Sequence, residues 1–166
     1  MTSTLDSGHQ TRTLDWRAAI WAGIAAGVVF MMLEMLLVQF VGPGSMWGPP
    51  RMIAAIVMGQ GVLPPPETFD LGILIVALII HFALSLIYAL ILAWIVGRWD
   101  LGLSPAIAIG VVLGLVIYLI NFYGFTAVFP WFAEARGWIA ILSHAMFGLV
   151  LAAVYQPLAR QKPAAA

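Results

Sequence analysis

The feature that most constrains the fold is a long apolar stretch, residues 18–41, which carries a single charged side chain, Glu34. This stretch is longer than the roughly 20 apolar residues that a helix needs to cross the hydrocarbon core of a bilayer. Three further apolar stretches follow, at about residues 71–96, 105–128 and 137–155. The chain is therefore predicted to be an all-α integral membrane protein, built as a four-helix transmembrane bundle.

The composition agrees with this class and argues against others. Hydrophobic residues make up 63% of the 166 residues and charged residues 8%, whereas a soluble domain has about 25% charged residues. The chain has 7 basic and 7 acidic residues. It lacks the positive excess that is typical of nucleic-acid binding, so we expect no nucleic acid among its partners. It contains no cysteine, which excludes disulfides and cysteine-ligated metals.

The four spans are predicted to form one transmembrane domain, residues 16–158. A flexible N-terminal tail, residues 1–15, precedes it, and a short C-terminal tail, residues 159–166, follows it. No small-residue cleavage site follows the first apolar stretch, so we expect a retained span and not a removed signal. Between the first two spans, residues 50–58 are apolar but too short to cross a bilayer, which predicts a short interfacial or re-entrant helix.

Basic residues indicate the orientation, because they are enriched on the cytoplasmic side of membrane proteins. If both termini are cytoplasmic, that side carries most of them: Arg12, Arg17, Arg98, Arg160 and Lys162, against Arg51 and Arg136 on the outer side. We therefore expect cytoplasmic N- and C-termini. The helix at residues 50–58 then lies at the outer face.

Two pairs of spans share a pattern that indicates an internal repeat. In the first and third spans, two glycines precede a polar residue by 11 and 7 positions, so that all three lie on one helix face. They are Gly23, Gly27 and Glu34 in the first span, and Gly110, Gly114 and Asn121 in the third. Glycines at this spacing allow helices to pack closely in lipid, so both polar residues are predicted to face other helices.

The second and fourth spans correspond in the same way. His81 and His144 each have a small residue four and eight positions further on. We therefore predict two helix hairpins related by a pseudo-twofold axis along the membrane normal, as in some transporters. Such an axis sets Glu34 across from Asn121, and His81 across from His144.

The predicted site is an intramembrane polar cluster of Glu34, His81, Asn121 and His144. From the helix rise, all four lie roughly 10–15 Å below the outer surface. An ionisable residue inside a span is costly, and it indicates function by default. The simplest interpretation is structural. A protonated Glu34 hydrogen-bonds a histidine or Asn121, and the cluster braces the helices.

Two chemical interpretations compete with the brace. His81 and His144, on different helices at similar depth, can be axial ligands of a haem b. Together with Glu34 they can bind a divalent metal or relay protons. Neither cofactor is favoured over none, because two histidines form a sparse pattern. A catalytic dyad of Ser143 and His144 is disfavoured, since neighbours on a helix point about 100° apart.

The connections on the outer side carry a second set of charged residues, Arg51, Glu134 and Arg136. One interpretation is interfacial anchoring or a surface ion pair. The functional alternative is a charged mouth above the Glu34 site.

Several segments resemble a known group of proteins. They are WRAAIWAGIAAGVVFMMLEM, WGPPRMIAAIVMGQGVLPPP and NFYGFTAVFPWFAEARGW, together with the histidines of spans two and four. Over about residues 16–156 the chain resembles a family of small, uncharacterised four-span bacterial inner-membrane proteins. Members are sometimes labelled sodium:proline symporters. A symporter of that kind has many more spans, so we do not adopt the label. The resemblance implies a bacterial inner membrane and assigns no functional residues.

These observations favour a non-catalytic membrane protein over an enzyme. The first expectation is an accessory subunit or self-assembling bundle whose polar cluster braces the helices or relays protons. The alternatives are a haem b- or metal-binding protein in electron transfer or metal handling, and a small oligomeric transporter or channel. Because four spans leave little room for an enclosed path, we expect a homo-oligomer or docking onto a larger membrane complex.

Overall fold

A computed structural model of the chain describes residues 14–160. Within these residues it has five α-helices and no β-strand. The helices are α1 (Trp16–Phe40), α2 (Gly48–Met58), α3 (Leu71–Arg98), α4 (Leu103–Leu119) and α5 (Trp138–Arg160). By length and composition α1, α3, α5 and the helical segment that begins with α4 can each cross a membrane. The all-α four-helix class is thus confirmed, with α2 as the short extra helix.

A polar cap determines where the first span begins. The Asp15 carboxylate accepts hydrogen bonds from the backbone N–H groups of Arg17 and Ala18, each at 3.1 Å. Such a cap satisfies donors that the first helical turn leaves unpaired. Asp15 is buried here and belongs to the bundle, although the sequence placed it in the tail. The remainder of the predicted tails, residues 1–13 and 161–166, lies outside the described residues.

The fourth span extends further than predicted. α5 continues to Arg160 and contains Pro157 within its last turns. Gln156 and Arg160 both donate to the carbonyl of Leu101, at 3.1 and 3.3 Å. These bonds hold the end of α5 against the turn between α3 and α4, which explains why the helix persists past a proline.

The long helices lie in the order α3, α1, α5, α4, and α2 packs against α3. The pairs α1/α3 and α4/α5 are the two predicted hairpins. Only one of the two equivalent helix pairs between the hairpins is in extensive contact. α1 packs along α5, whereas α3 and α4, which are the corresponding pair, scarcely touch. A twofold axis would make these two contacts alike, so the predicted symmetry does not extend to the packing between hairpins.

Glycines set the spacing within each hairpin, and they do so in the same register. A Cβ atom added at Gly23 would meet the methyl group of Ala89 at 3.0 Å. A Cβ atom added at Gly110 would meet the methyl group of Ala152 at 2.8 Å. The two alanines are the residues that the repeat made equivalent. The repeat in the sequence therefore corresponds to equivalent contacts in the fold.

The two hairpins differ in how closely their helices approach. A Cβ at Gly110 would overlap the carbonyl oxygen of Gly148, and one at Gly114 would overlap another α5 carbonyl. At Gly27 the nearest atom is instead the hydroxyl of Ser85, 2.9 Å from an added Cβ. α4 and α5 therefore meet backbone to backbone, whereas a side chain separates α1 from α3.

The third span departs from a regular helix before its end. A continuous helix was predicted here, but α4 is followed by a π-helical turn, Ile120–Gly124, and a 3₁₀ turn, Phe125–Ala127. Arg136 donates to the Phe122 carbonyl at 2.7 Å, which supplies a partner for backbone that the wider turn releases. Single π turns are frequent at functional sites.

One end of the bundle is covered by α2 and two 3₁₀ segments, Gln60–Val62 and Pro130–Ala135, and is called the α2 end. The buried Trp131 donates through its indole N–H to the Met52 carbonyl at 3.0 Å. This bond joins the connection of one hairpin to the connection of the other.

Candidate functional site

A cavity of about 670 Å³ lies at the α2 end, and all five helices contribute to its wall. The volume falls within the range of about 300–1,000 Å³ that is typical of small-molecule sites. The structure brings the four predicted polar residues to this one space, since Glu34, His81, Asn121 and His144 all line it. It is called the Glu34 cavity below.

Glu34 is the polar group with the fewest partners. The residue is 8% exposed, and its side chain adjoins that of Ser143, which is wholly buried. Within residues 14–160, neither Glu34 Oε2 nor Ser143 Oγ has a hydrogen-bond partner. An unpaired buried polar atom costs about 1–3 kcal/mol. The fold therefore keeps a carboxyl at the cavity wall without using it for packing.

His81 links the two helices of the first hairpin. Its Nε2 atom donates to the carbonyl of Gly27 at 2.9 Å, from α3 to α1. The ring also stacks on Phe30, with centroids 5.3 Å apart. This histidine serves as an interhelical brace.

His144 and Asn121 form a separate pair in the second hairpin. His144 Nδ1 donates to the Ala140 carbonyl at 2.8 Å on its own helix. That bond fixes the tautomer, so Nε2 accepts from Asn121 Nδ2 at 3.3 Å. The π-helical turn carries Asn121 to this position.

The brace interpretation therefore holds for part of the cluster only. The two histidines and Asn121 make contacts that join or orient helices. Glu34 makes no hydrogen bond to them, so the predicted bond from Glu34 to a histidine or Asn121 is absent. His81 and His144, which were predicted to lie across from each other, share a neighbour. Both rings pack against Phe30, His144 edge-on at 4.8 Å.

The haem and metal interpretations receive no support from this geometry. Both ring nitrogens of His144 are engaged, and His81 Nε2 is engaged as well. Among residues 14–160, no group of three or more histidine, aspartate or glutamate side chains is placed to hold a metal ion. The Ser143 hydroxyl makes no hydrogen bond to the neighbouring imidazole.

The two arginines that were predicted to lie on the outer side, Arg51 and Arg136, bind backbone carbonyls. Arg51 is 7% exposed, and it donates to the Thr68 carbonyl at 3.1 and 3.0 Å and to the Val62 carbonyl at 3.1 Å. It fastens the connection to α2 and does not line the cavity. Arg136 does line it, and its guanidinium carbon lies 4.3 Å from the centre of the Tyr123 ring.

The cavity wall is predominantly acidic and aromatic. Its charged residues, within the described part of the chain, are Glu34, Glu67, Glu134 and Arg136. The Arg136 guanidinium is already bonded to the Phe122 carbonyl. Nine aromatic residues also line the space: Phe30, Tyr88, Phe122, Phe125, Phe129, Trp131, Phe132, Trp138 and Phe147. The wall thus combines an unneutralised acidic excess with ring faces.

Sequence reasoning missed three contributors to this site. Phe30, one turn before Glu34, contacts both imidazoles. Ser143 was weighed only as a nucleophile, yet it adjoins the Glu34 carboxyl. Glu67 accepts a hydrogen bond from the Ser45 backbone N–H and reaches the cavity from the connection. Only Phe30 had a usable signal, since its spacing from Glu34 places it on the same helix face.

Fold and cavity together define a helical bundle, able to span a membrane, with a small-molecule-sized acidic cavity at one end. No family model, curated protein or solved structure matches the chain. The function must therefore be argued from the site alone.

Proposed function

We propose that this chain is a non-catalytic, multi-pass membrane protein that binds a small amphipathic molecule in the Glu34 cavity. The observation that carries the proposal is the carboxyl of Glu34, which is 8% exposed and lines the cavity, with one oxygen lacking a hydrogen-bond partner. Its polar neighbour is Ser143 of α5, and neither a histidine nor Asn121 hydrogen-bonds it. A buried, unpaired carboxyl in a mostly apolar wall is suited to anchor a ligand.

The single-chain geometry supports this function without a second subunit. All five helices of one copy line the cavity, so a ligand can be held whether or not the protein assembles further. The expectation of a homo-oligomer, or of docking onto a larger complex, remains compatible with the proposal. So does the alternative of transport, for which a binding site is the first requirement.

The cellular placement belongs to the same proposal. The excess of basic residues on the side of the termini supports cytoplasmic N- and C-termini, and the family resemblance implies a bacterial inner membrane. In that orientation the α2 end faces outwards. The Glu34 cavity then lies within the outer half of the bilayer.

Binding of a neutral lipophilic dye, Nile red, to the purified protein in lipid nanodiscs tests the proposal. The variant Ile56→Trp puts a large side chain at the cavity wall. Its neighbour Val57 is 66% exposed and does not line the cavity, so Val57→Trp is the matched control. We expect saturable binding above the level of empty nanodiscs, lost in Ile56→Trp and kept in Val57→Trp. No saturable binding, or equal binding by both variants, would overturn the proposal.

A further inference from the structure

We infer that the occupant of the Glu34 cavity is a lipophilic organic cation, an apolar body that carries one delocalised or alkylated positive charge. This inference rests on the proposed function, since it names the class of ligand for the same site. Three properties of the wall lead to it: its charge, its aromatic surface and its position beside the bilayer.

The charge of the cavity wall favours a cationic ligand. Three acidic residues, Glu34, Glu67 and Glu134, and one basic residue, Arg136, line the described cavity. Arg136 bonds the Phe122 carbonyl and lies over the Tyr123 ring, so it does not neutralise Glu34. An ionised carboxylate is expensive in an apolar medium unless it is paired. Glu34 is therefore neutral until a cation lies beside it, and a cationic ligand supplies the countercharge with which it ionises.

The imidazoles do not supply this countercharge either. His81 Nε2 bonds the Gly27 carbonyl, and neither histidine hydrogen-bonds Glu34. On α5 the residue that adjoins the carboxyl is Ser143, which is neutral. The hydroxyl can donate to a carboxylate, which leaves the other carboxylate lone pairs for a cation.

The aromatic wall selects among cations. Nine aromatic side chains line the cavity, and the face of an aromatic ring attracts a cation, most strongly when water is excluded. Hard inorganic cations bind where several oxygen ligands converge, and among residues 14–160 no group of three or more histidine, aspartate or glutamate side chains is placed in that way. A bulky organic cation gains from the carboxylate and from the rings together.

The position of the cavity favours a lipophilic body. Ile80, Leu84 and Tyr88 of α3 and Ile117 of α4 line it on the side where these two helices scarcely touch. These side chains thus lie between two spans that make little contact with each other. In a bilayer, a cation with an apolar body partitions into the lipid and can approach Glu34 between α3 and α4.

The test uses tetraphenylphosphonium and its anionic counterpart of the same shape, tetraphenylborate. Equilibrium binding of tritiated tetraphenylphosphonium is measured on the purified full chain, for wild type, Glu34→Gln and Glu34→Asp. We expect saturable binding to wild type, a weakening of at least about tenfold in Glu34→Gln, equivalent to about 1.4 kcal/mol, and a smaller loss in Glu34→Asp. Tetraphenylborate should not compete.

Nile red binding to the same samples separates the two proposals. The melting temperature of Glu34→Gln in the same detergent should match that of wild type, which establishes that the variant is folded. If wild type binds the dye but not tetraphenylphosphonium, or if Glu34→Gln binds the cation as well as wild type does, the inference is wrong and the proposed function stands. Competition by tetraphenylborate would likewise contradict a site selective for cations. Absence of binding of either probe would overturn both proposals.

Discussion

The two hairpins have glycines at equivalent positions, but their polar residues differ in how they are hydrogen-bonded. In α4/α5 the backbones meet at glycines, and Asn121 is hydrogen-bonded to His144. In α1/α3 a serine hydroxyl separates the helices, and the residue at the position of Asn121 is Glu34, which has an unpaired oxygen. The comparison indicates that α4/α5 is closely packed and serves as a scaffold. The helices of α1/α3 are packed less closely, and the Glu34 carboxyl is left available to a ligand.

The largest effect should come from adding a methyl group at the equivalent glycines. In Gly110→Ala the new Cβ overlaps the Gly148 carbonyl oxygen, and backbone cannot move aside easily. In Gly23→Ala the nearest contact is the Ala89 methyl group at 3.0 Å. We expect Gly110→Ala to lower the free energy of unfolding by about 1–3 kcal/mol and Gly23→Ala by clearly less, measured by thermal unfolding in detergent. Equal losses would remove the distinction between a tight and a loose hairpin.

Leucine at the two equivalent polar positions should change stability in opposite directions. Asn121→Leu removes the donor to His144 Nε2 and should lower the free energy of unfolding by about 1 kcal/mol. Glu34→Leu removes an unpaired buried carboxyl and should leave stability unchanged or raise it. Melting temperatures of the two variants and wild type in the same detergent decide this. A destabilised Glu34→Leu would identify Glu34 as a brace.

A smaller effect is expected in double-mutant cycles on thermal stability. The Asn121–His144 pair should show a coupling energy of about 0.6 kcal/mol, the usual size for a hydrogen bond between membrane helices. Glu34 should show none with His81, within an error of about 0.3 kcal/mol. The variants are Asn121→Leu with His144→Phe, and Glu34→Leu with His81→Phe. A measurable coupling energy between Glu34 and His81 would support the polar network that the sequence predicted.

The smallest effect concerns Glu134, in the connection of the second hairpin. Its side chain is exposed, so solvent screens its charge. Glu134→Gln should weaken tetraphenylphosphonium binding by about twofold at low salt and not measurably at high salt. If Glu134→Gln lost as much tetraphenylphosphonium binding as Glu34→Gln, the cation would bind at the connections and not at the span.

Much of the fold could be predicted from the sequence, because lipid imposes strict lengths and periods. The spans, the short helix α2 and the glycine register all follow from apolar length and 3.6-residue spacing. The faces of Glu34 and Asn121 followed from the same spacing, and both residues line the cavity. Periodicity assigns a residue to a face of its own helix, and these assignments were enough to predict that the polar residues share one site.

The remainder depends on how helices meet, which periodicity does not encode. The one-sided contact between hairpins and the π-helical turn at Asn121 arise from tertiary packing. The buried position of Arg51 depends on where residues 62–68 fold back, and its charge alone suggested an exposed anchor. The sequence also predicted a hydrogen bond from Glu34 to a histidine or Asn121, whereas Asn121 is bonded to His144 and Glu34 Oε2 has no partner.

The most direct test of the central claim is an anomalous-difference map from crystals grown with tetraphenylarsonium, whose arsenic atom marks the cation. The account predicts one peak inside the Glu34 cavity, beside the Glu34 carboxylate and the aromatic wall, and no such peak in Glu34→Gln crystals. Peaks confined to the lipid-facing surface, or an equal cavity peak in the variant, would contradict the claim that this carboxyl is kept free to hold a cation.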